Sequence, residues 1–173
     1  MNRISAAIAA AALTVSGMAI AKGASINDAQ IAHIAYTAGQ LDIEAARQAL
    51  QRSHDGRVRA FAQTMVRDHQ AVNEKALALV KKLHVTPEAN PTSASLRAAA
   101  AKTRHDLGTL SGAAFDRAYV RNEVAYHRTV NSALQSTLIP NAYNGELKSL
   151  LETGLTLFRE HQTHAEELAS HLR

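Results

Sequence analysis

The sequence predicts an all-α protein, an up-down four-helix bundle with a short extra helix in its longest connection. Three observations carry that prediction. Strong helix formers dominate the 173-residue chain, which holds only three prolines, no tryptophan and no cysteine. Apolar positions recur three and four residues apart, and no segment alternates with period two over a strand's length. Short clusters of Gly, Pro, Asn and Asp divide the periodic stretches into helix-sized pieces.

The N-terminus is expected to stand apart from the bundle. Arg3 gives a short positive start, Ile4 to Ala21 is apolar or small throughout, and Ala19-Ile20-Ala21 is a small-residue cleavage site ahead of Lys22. This three-part layout predicts a secretory signal peptide over residues 1–21, with residues 22–173 forming the helical domain. A membrane anchor is the rival reading, but the run is rich in Ala, Gly and Ser and ends in an A-x-A site. No later segment is apolar for long enough to span a bilayer, so export without a further transmembrane segment is expected.

The first helix is expected from about Asp28 to Ser53, with Ile31, Ile34, Ala38, Leu41, Ala45 and Ala49 on its core face. His54-Asp55-Gly56 is a short turn. The second helix runs to about Leu83 and turns Phe61, Met65, Val72, Ala76 and Val80 inward. His84 to Ser95 holds two prolines and several small polar residues, and reads as the longest loop. A shorter helix follows from Leu96 to Leu107, ended by Gly108. Ser111 is expected to cap the next helix, which carries Tyr119, Val120, Val130 and Leu134 and reaches about Leu138 before Pro140 stops it. Asn141 to Gly145 connects to the last helix, whose face shows Leu147, Leu150, Leu151, Leu157, Leu168 and Leu172. Two tight hairpins joined by a longer crossover is the connectivity of ferritin-like bundles. A faint internal repeat agrees with it. Asp55-Gly56 opens a helix that reads Arg67-Asp68-His69-Gln70, and Asn144-Gly145 opens one that reads Arg159-Glu160-His161-Gln162.

Composition narrows the function by exclusion. The absence of cysteine removes disulfides and thiolate metal ligands. The net charge of +4 does not predict a nucleic-acid partner, because basic and acidic residues intermix along every helix, as in Glu146-Leu147-Lys148.

Nine histidines are the unusual feature. His33, His54, His84, His105 and His171 have no consistent relation to an apolar seam or lie near helix ends, and read as solvated. Three others differ. His69 lies at helical spacing from Phe61, Met65, Val72 and Val80, His127 from Tyr119, Val120, Val130 and Leu134, and His161 between Leu157 and Leu168. The first helix adds Asp42, set among Ala35, Ala38, Ala45 and Ala49, where a buried carboxylate is costly without a partner. In an antiparallel hairpin, residues equally far from the turn are level. Asp42 and His69 straddle Asp55-Gly56, and His127 and His161 straddle Asn144. One carboxylate and three imidazoles converging in a bundle make a candidate transition-metal site, with Asp68, Asp116, Glu123 and Glu160 as candidate orienting partners of the rings. The plainer reading is a polar layer in which the same groups hydrogen-bond to one another.

Di-iron bundles place Glu three residues before a ligand His on two helices. Here those positions hold Val66, Val124 and Phe158. Nitrogen-rich ligation therefore favours zinc or copper over iron.

At these residues the chain resembles a large bacterial family of exported ferritin-like proteins of unknown function, often labelled "predicted outer membrane protein". The resemblance rests on Gly39-Gln40-Leu41-Asp42-Ile43-Glu44, on Val58 to His69 with its Met65-x-x-Asp68-His69 ending, and on Phe115-Asp116-x-x-Tyr119-Val120. It continues through His127 to Glu160-His161 with Ala165. It covers nearly all of residues 22–173 and implies a ferritin-like fold and an envelope location, but no established activity. The family usually has Glu where this chain has Asp42.

The leading expectation is an exported periplasmic or outer-envelope protein holding one zinc or copper ion through Asp42, His69, His127 and His161, for buffering or stress protection. One rival is a hydrolytic or redox enzyme using that ion, although no substrate pocket shows in the sequence. The other is a metal-free structural or interaction module of the cell envelope.

Overall fold

A computed structural model describes residues 26–172, and the expected signal peptide lies outside them. The described chain is all-helical: α1 (Asp28–Arg52), α2 (Gly56–Lys82), α3 (Pro91–Gly108), α4 (Gly112–Ala133), a π-helical turn (Leu134–Leu138), α5 (Ile139–Asn141) and α6 (Gly145–His171). No strand occurs among the described residues, and no described helix is long and apolar enough to cross a membrane.

Local chemistry sets most of the boundaries. Asn27 and Gln30 form a reciprocal capping box at the start of α1. Asp55 caps α2 and Asn144 caps α6 in nearly the same backbone conformation, each side chain accepting from the next two free N–H groups. These matching caps reproduce the sequence repeat at the helix starts. The Arg-acidic-His-Gln tetrapeptides do not stand at equal heights, because His69 comes 14 residues after its cap and His161 comes 17 after its own.

Two boundaries and one cap differ from the sequence reading. The third helix starts at Pro91 rather than Leu96, because Asn90 and Ser93 form a second capping box and Pro91 occupies the first turn, where its missing N–H costs nothing. Ser111 stands at the N-terminus of α4 but makes no side-chain cap bond; the chain turns there through Gly112 at φ +52°. Pro140 does not end its helix at Leu138. The backbone widens into a π turn, with the Ile139 N–H donating to the Leu134 carbonyl, and completes one more turn to Asn141. At its far end α2 closes in a Schellman motif: His84 donates to Lys81 and Val85 to Val80, with His84 at φ +53°.

The long helices α1, α2, α4 and α6 pack in a closed cycle, α1 on α2, α2 on α6, α6 on α4 and α4 on α1, while α3 lies along α1. Helix α3 buries little of itself and is held by polar ties, Gln48 Nε2 to the Arg104 carbonyl and Arg97 to Thr37. The apolar core forms two clusters. One gathers Ile31, Ile34, Leu134, Leu151 and Phe158, the other Phe61, Met65, Phe115, Tyr119 and Ala165. On each long helix the apolar side chains change cluster at one level. Asp42 lies between Ala38 and Ala45, His69 between Met65 and Val72, His127 between Val120 and Val130, and His161 between Phe158 and Ala165. A polar layer therefore separates two apolar halves.

Candidate metal centre

Each long helix contributes to that layer because an apolar position on its core stripe has been replaced by a polar one. Asp42, His69, His127 and His161 are all buried, and so is Glu123, one turn before His127 on α4. The hairpin counting places the pairs level, and the structure brings them together. Asp42 Oδ2 lies 2.6 Å from His69 Nε2 and 3.5 Å from His127 Nε2. The His69, His127 and His161 rings have centroids 5.4–5.8 Å apart. One ring nitrogen of each lies within 4.8 Å of the others, and Asp42, Glu123 and His127 form an overlapping group with the same spacing. Both groups could hold a metal ion.

The hydrogen bonds leave specific atoms free. His127 Nδ1 is 3.0 Å from the Glu123 carbonyl, which as acceptor fixes the proton on Nδ1 and leaves Nε2 with a lone pair. His161 Nε2 lies 3.0 Å from Asp68 Oδ2 on α2. That contact leaves Nδ1 as the second ring nitrogen. The buried atoms without a hydrogen bond include both oxygens of Asp42, both ring nitrogens of His69, His127 Nε2, His161 Nδ1 and Glu123 Oε2. Native interiors rarely leave such groups unsatisfied, and here they are concentrated in one layer. Although only 2.6 Å apart, Asp42 and His69 are not aligned as a hydrogen-bonded pair.

The electrostatics follow from burial. Burial pushes the Asp42 carboxyl up, but His69 and then His127 outweigh it and hold the group below the ordinary carboxylate range. Glu123 is pushed well up by burial and by the Asp42 charge beside it. Burial lowers His127, with Asp42 opposing. His161 is lowered to about 4, mainly by burial, with Asp68 opposing and the two neighbouring imidazoles adding to the effect. His127 and His161 are therefore neutral near pH 7, the form that ligates metal.

The residues expected to orient the rings fare differently. Asp68 contacts His161, anchored from outside by Arg67 at 2.7 Å. Glu123 touches His127 through its backbone carbonyl, and its carboxylate also enters the layer among the groups able to take a cation. Its i,i+4 spacing to His127 was the available signal for that second role. Asp116 is buried, but it stands eleven residues before His127, about 16 Å along the helix, too far to reach the ring. Glu160 is exposed, since adjacent residues on a helix point about 100° apart. Among the histidines read as solvated, His54, His84, His105 and His171 are exposed and His33 is half-buried. His164, to which the sequence assigned no role, is exposed with its ring edge-on to Phe61.

Phe158 is the residue the sequence reading undervalued. It occupies the place where a di-iron bundle would carry the Glu preceding its ligand His. Its ring stacks on His69, centroids 4.6 Å apart and planes 14° apart. An apolar wall thus stands where a carboxylate-rich centre would need a ligand.

With this geometry in place, the comparison with known families becomes informative. Residues 13–168 match the domain of unknown function DUF4142, a span that contains every residue of the layer. The chain belongs to the DUF4142 family. No curated protein and no solved structure matches it. DUF4142 membership agrees with the resemblance read from the sequence to a family without an assigned activity, and the chemistry of this DUF4142 domain has to be argued from its own side chains.

Proposed function

We propose that this DUF4142 protein is an exported, ferritin-like four-helix bundle of the bacterial periplasm or outer envelope that holds a single zinc or copper ion, in metal buffering or stress protection. The observation that carries the reading is the convergence, between two apolar half-cores, of buried ligand atoms that make no hydrogen bond: Asp42 Oδ1 and Oδ2, His69, His127 Nε2 and His161 Nδ1. A cation can take one ring nitrogen from each of the three histidines, or a carboxylate oxygen from each of Asp42 and Glu123 together with His127, the two sets sharing His127. Asp68 and the Glu123 carbonyl orient two of the rings from behind, as partners of ligand histidines commonly do. The Glu123 carboxyl is a fifth donor, able to ionise when a cation arrives. Three nitrogens to one or two carboxylates suit zinc or copper(II), and Phe158 at the position of the missing Glu weighs against a di-iron centre. The ferritin-like assignment draws its support from the two hairpins joined through α3, and the location from the signal-like residues 1–21.

The test uses the full exported chain, stripped of metal by chelation and titrated with zinc and with copper(II) by calorimetry at pH 7. One ion should bind per chain in the wild type and in His54→Ala, whose ring lies in a turn. Binding should be lost or weakened at least about tenfold in His127→Ala and His161→Ala. The bound ion should also raise the melting temperature, a gain that fades only as pH falls toward the lowered folded pKa values of His127 and His161, where protons compete for the rings. A metal-free polar layer predicts instead that the core substitutions lower stability equally with zinc and with chelator. Unchanged stoichiometry in both core variants overturns the proposed site.

A further inference from the structure

The polar layer offers two sets of donors that differ in chemistry. One is the three imidazoles of His69, His127 and His161. The other is Asp42, Glu123 and His127, with one ligand atom of each within 4.8 Å of the others. This second set joins α1 to α4. Asp42 Oδ2 lies 3.5 Å from His127 Nε2, and Glu123 Oε2 lies 3.8 Å from His127 Nδ1. All three side chains are buried, and Asp42 Oδ1 and Oδ2, Glu123 Oε2 and His127 Nε2 make no hydrogen bond. Two carboxylates are costly neighbours in a protein interior unless a positive charge lies between them.

From this second set we infer that the layer is also a site for a harder divalent ion of the manganese(II) kind, held by Asp42, Glu123 and His127, and that this ion and zinc exclude each other. Donor chemistry selects the class. Imidazole nitrogens suit zinc and copper, whereas carboxylate oxygens suit magnesium, calcium and manganese(II). Magnesium and calcium take oxygen ligands, so the His127 nitrogen in the set leaves manganese(II). Charge agrees with it, since two carboxylates balance a buried divalent ion and three neutral imidazoles do not. Exclusion follows from His127. Its Nδ1 donates to the Glu123 carbonyl, so Nε2 carries the one free lone pair of the ring, and both sets need it. Manganese(II) favours octahedral coordination, and the partly open pocket lined by His69, Asn73 and His127 gives water a route to the remaining positions. The inference rests on the metal reading of the layer and adds a second class of ion with its own ligands.

The experiment uses the metal-free full exported chain at pH 7. Manganese(II) is followed by electron paramagnetic resonance, in which binding removes the signal of the free ion, and zinc by calorimetry. The wild type should take up one manganese(II) per chain, and zinc, the stronger binder in the divalent series, should release it. Glu123→Gln keeps the shape of the side chain without its charge. It should weaken manganese(II) at least about tenfold and zinc no more than a few-fold. His161→Ala should do the reverse, and His161→Gln takes its place should the alanine variant not fold by circular dichroism. No uptake by the wild type, uptake that survives Glu123→Gln or needs His161, or manganese(II) and zinc bound together overturns the inference. Its failure is distinct from that of the imidazole site. Zinc binding that depends on His161, with no manganese(II) uptake, removes this inference alone. Manganese(II) uptake that depends on Glu123, with zinc indifferent to His161, removes the imidazole site alone.

Discussion

His161 should make the metal-free protein sensitive to mild acid. In the folded chain burial and the neighbouring imidazoles hold its pKa at about 4, against about 6.5 for a histidine in the unfolded chain. Between these values the unfolded chain binds the proton and the folded chain does not, so stability falls as pH drops from 6.5 to 4. The difference corresponds to about 3 kcal/mol in all, of which about 2 kcal/mol is lost between pH 7 and pH 4.5. The wild-type curve alone does not isolate this loss. Glu123, raised by burial, acts in the opposite direction, being stabilising while protonated and losing that contribution as pH rises through its folded pKa. Asp42, held low by His69 and His127, loses its contribution only below the ordinary carboxylate range. The comparison that isolates His161 is with His161→Gln, a neutral side chain that keeps a donor for Asp68. Urea unfolding followed by circular dichroism at pH 7 and pH 4.5, with chelator present, should show the wild type losing about 2 kcal/mol more than the variant. Parallel losses in the two proteins would refute the burial argument for this ring.

The other predictions concern packing, backbone and export. Phe158→Ala should cost about 3–5 kcal/mol, because it opens a cavity and removes the ring stacked on His69, while Leu157→Ala, only half-buried, should cost roughly half as much or less; chemical denaturation reads both. Gly39→Ala should destabilise by about 1–3 kcal/mol, since a Cβ at Gly39 would lie 2.5 Å from Asn73 Oδ1 where α1 and α2 approach; the same change at Gly56, where nothing lies within 4 Å, gives the control. His84→Gly should raise stability by roughly 0.5–1 kcal/mol by relieving the left-handed backbone at the end of α2, and a lower melting temperature would contradict that. N-terminal sequencing of the exported protein should begin at or near Lys22, and an intact Met1 on membrane-bound material would remove the signal-peptide reading.

Most of the helices were legible because their signals are local. Asp55-Gly56, Asn144-Gly145 and the apolar spacing of α1 need only neighbours along the chain to be read. Errors arose where a residue had two local meanings. Pro91 reads as a loop residue and also as an ideal first-turn residue, and only its place between Asn90 and Ser93 decides between them. Pro140 reads as a stop, yet a π turn absorbs it for one more turn. The inward face of α6 was also blurred, because Leu150 and Leu157 look as apolar as Leu155 and Phe158 but lie at its edge.

By itself the sequence determined that the chain is helical, that Asp42, His69, His127 and His161 share core stripes, and that two of these pairs are level within their hairpins. Those properties follow from a fixed rise and turn per residue, so they can be counted. Only the tertiary structure decided that the two hairpins set the pairs at a common height, that Asp68 on α2 meets His161 on α6, and that Glu123 enters the layer while Glu160 faces solvent. It also decided that Phe158 stacks on His69. These outcomes depend on how helices far apart in sequence rotate and slide to fill space. Close packing fixes that arrangement through all the side chains at once, and no single helix carries it in its own periodicity.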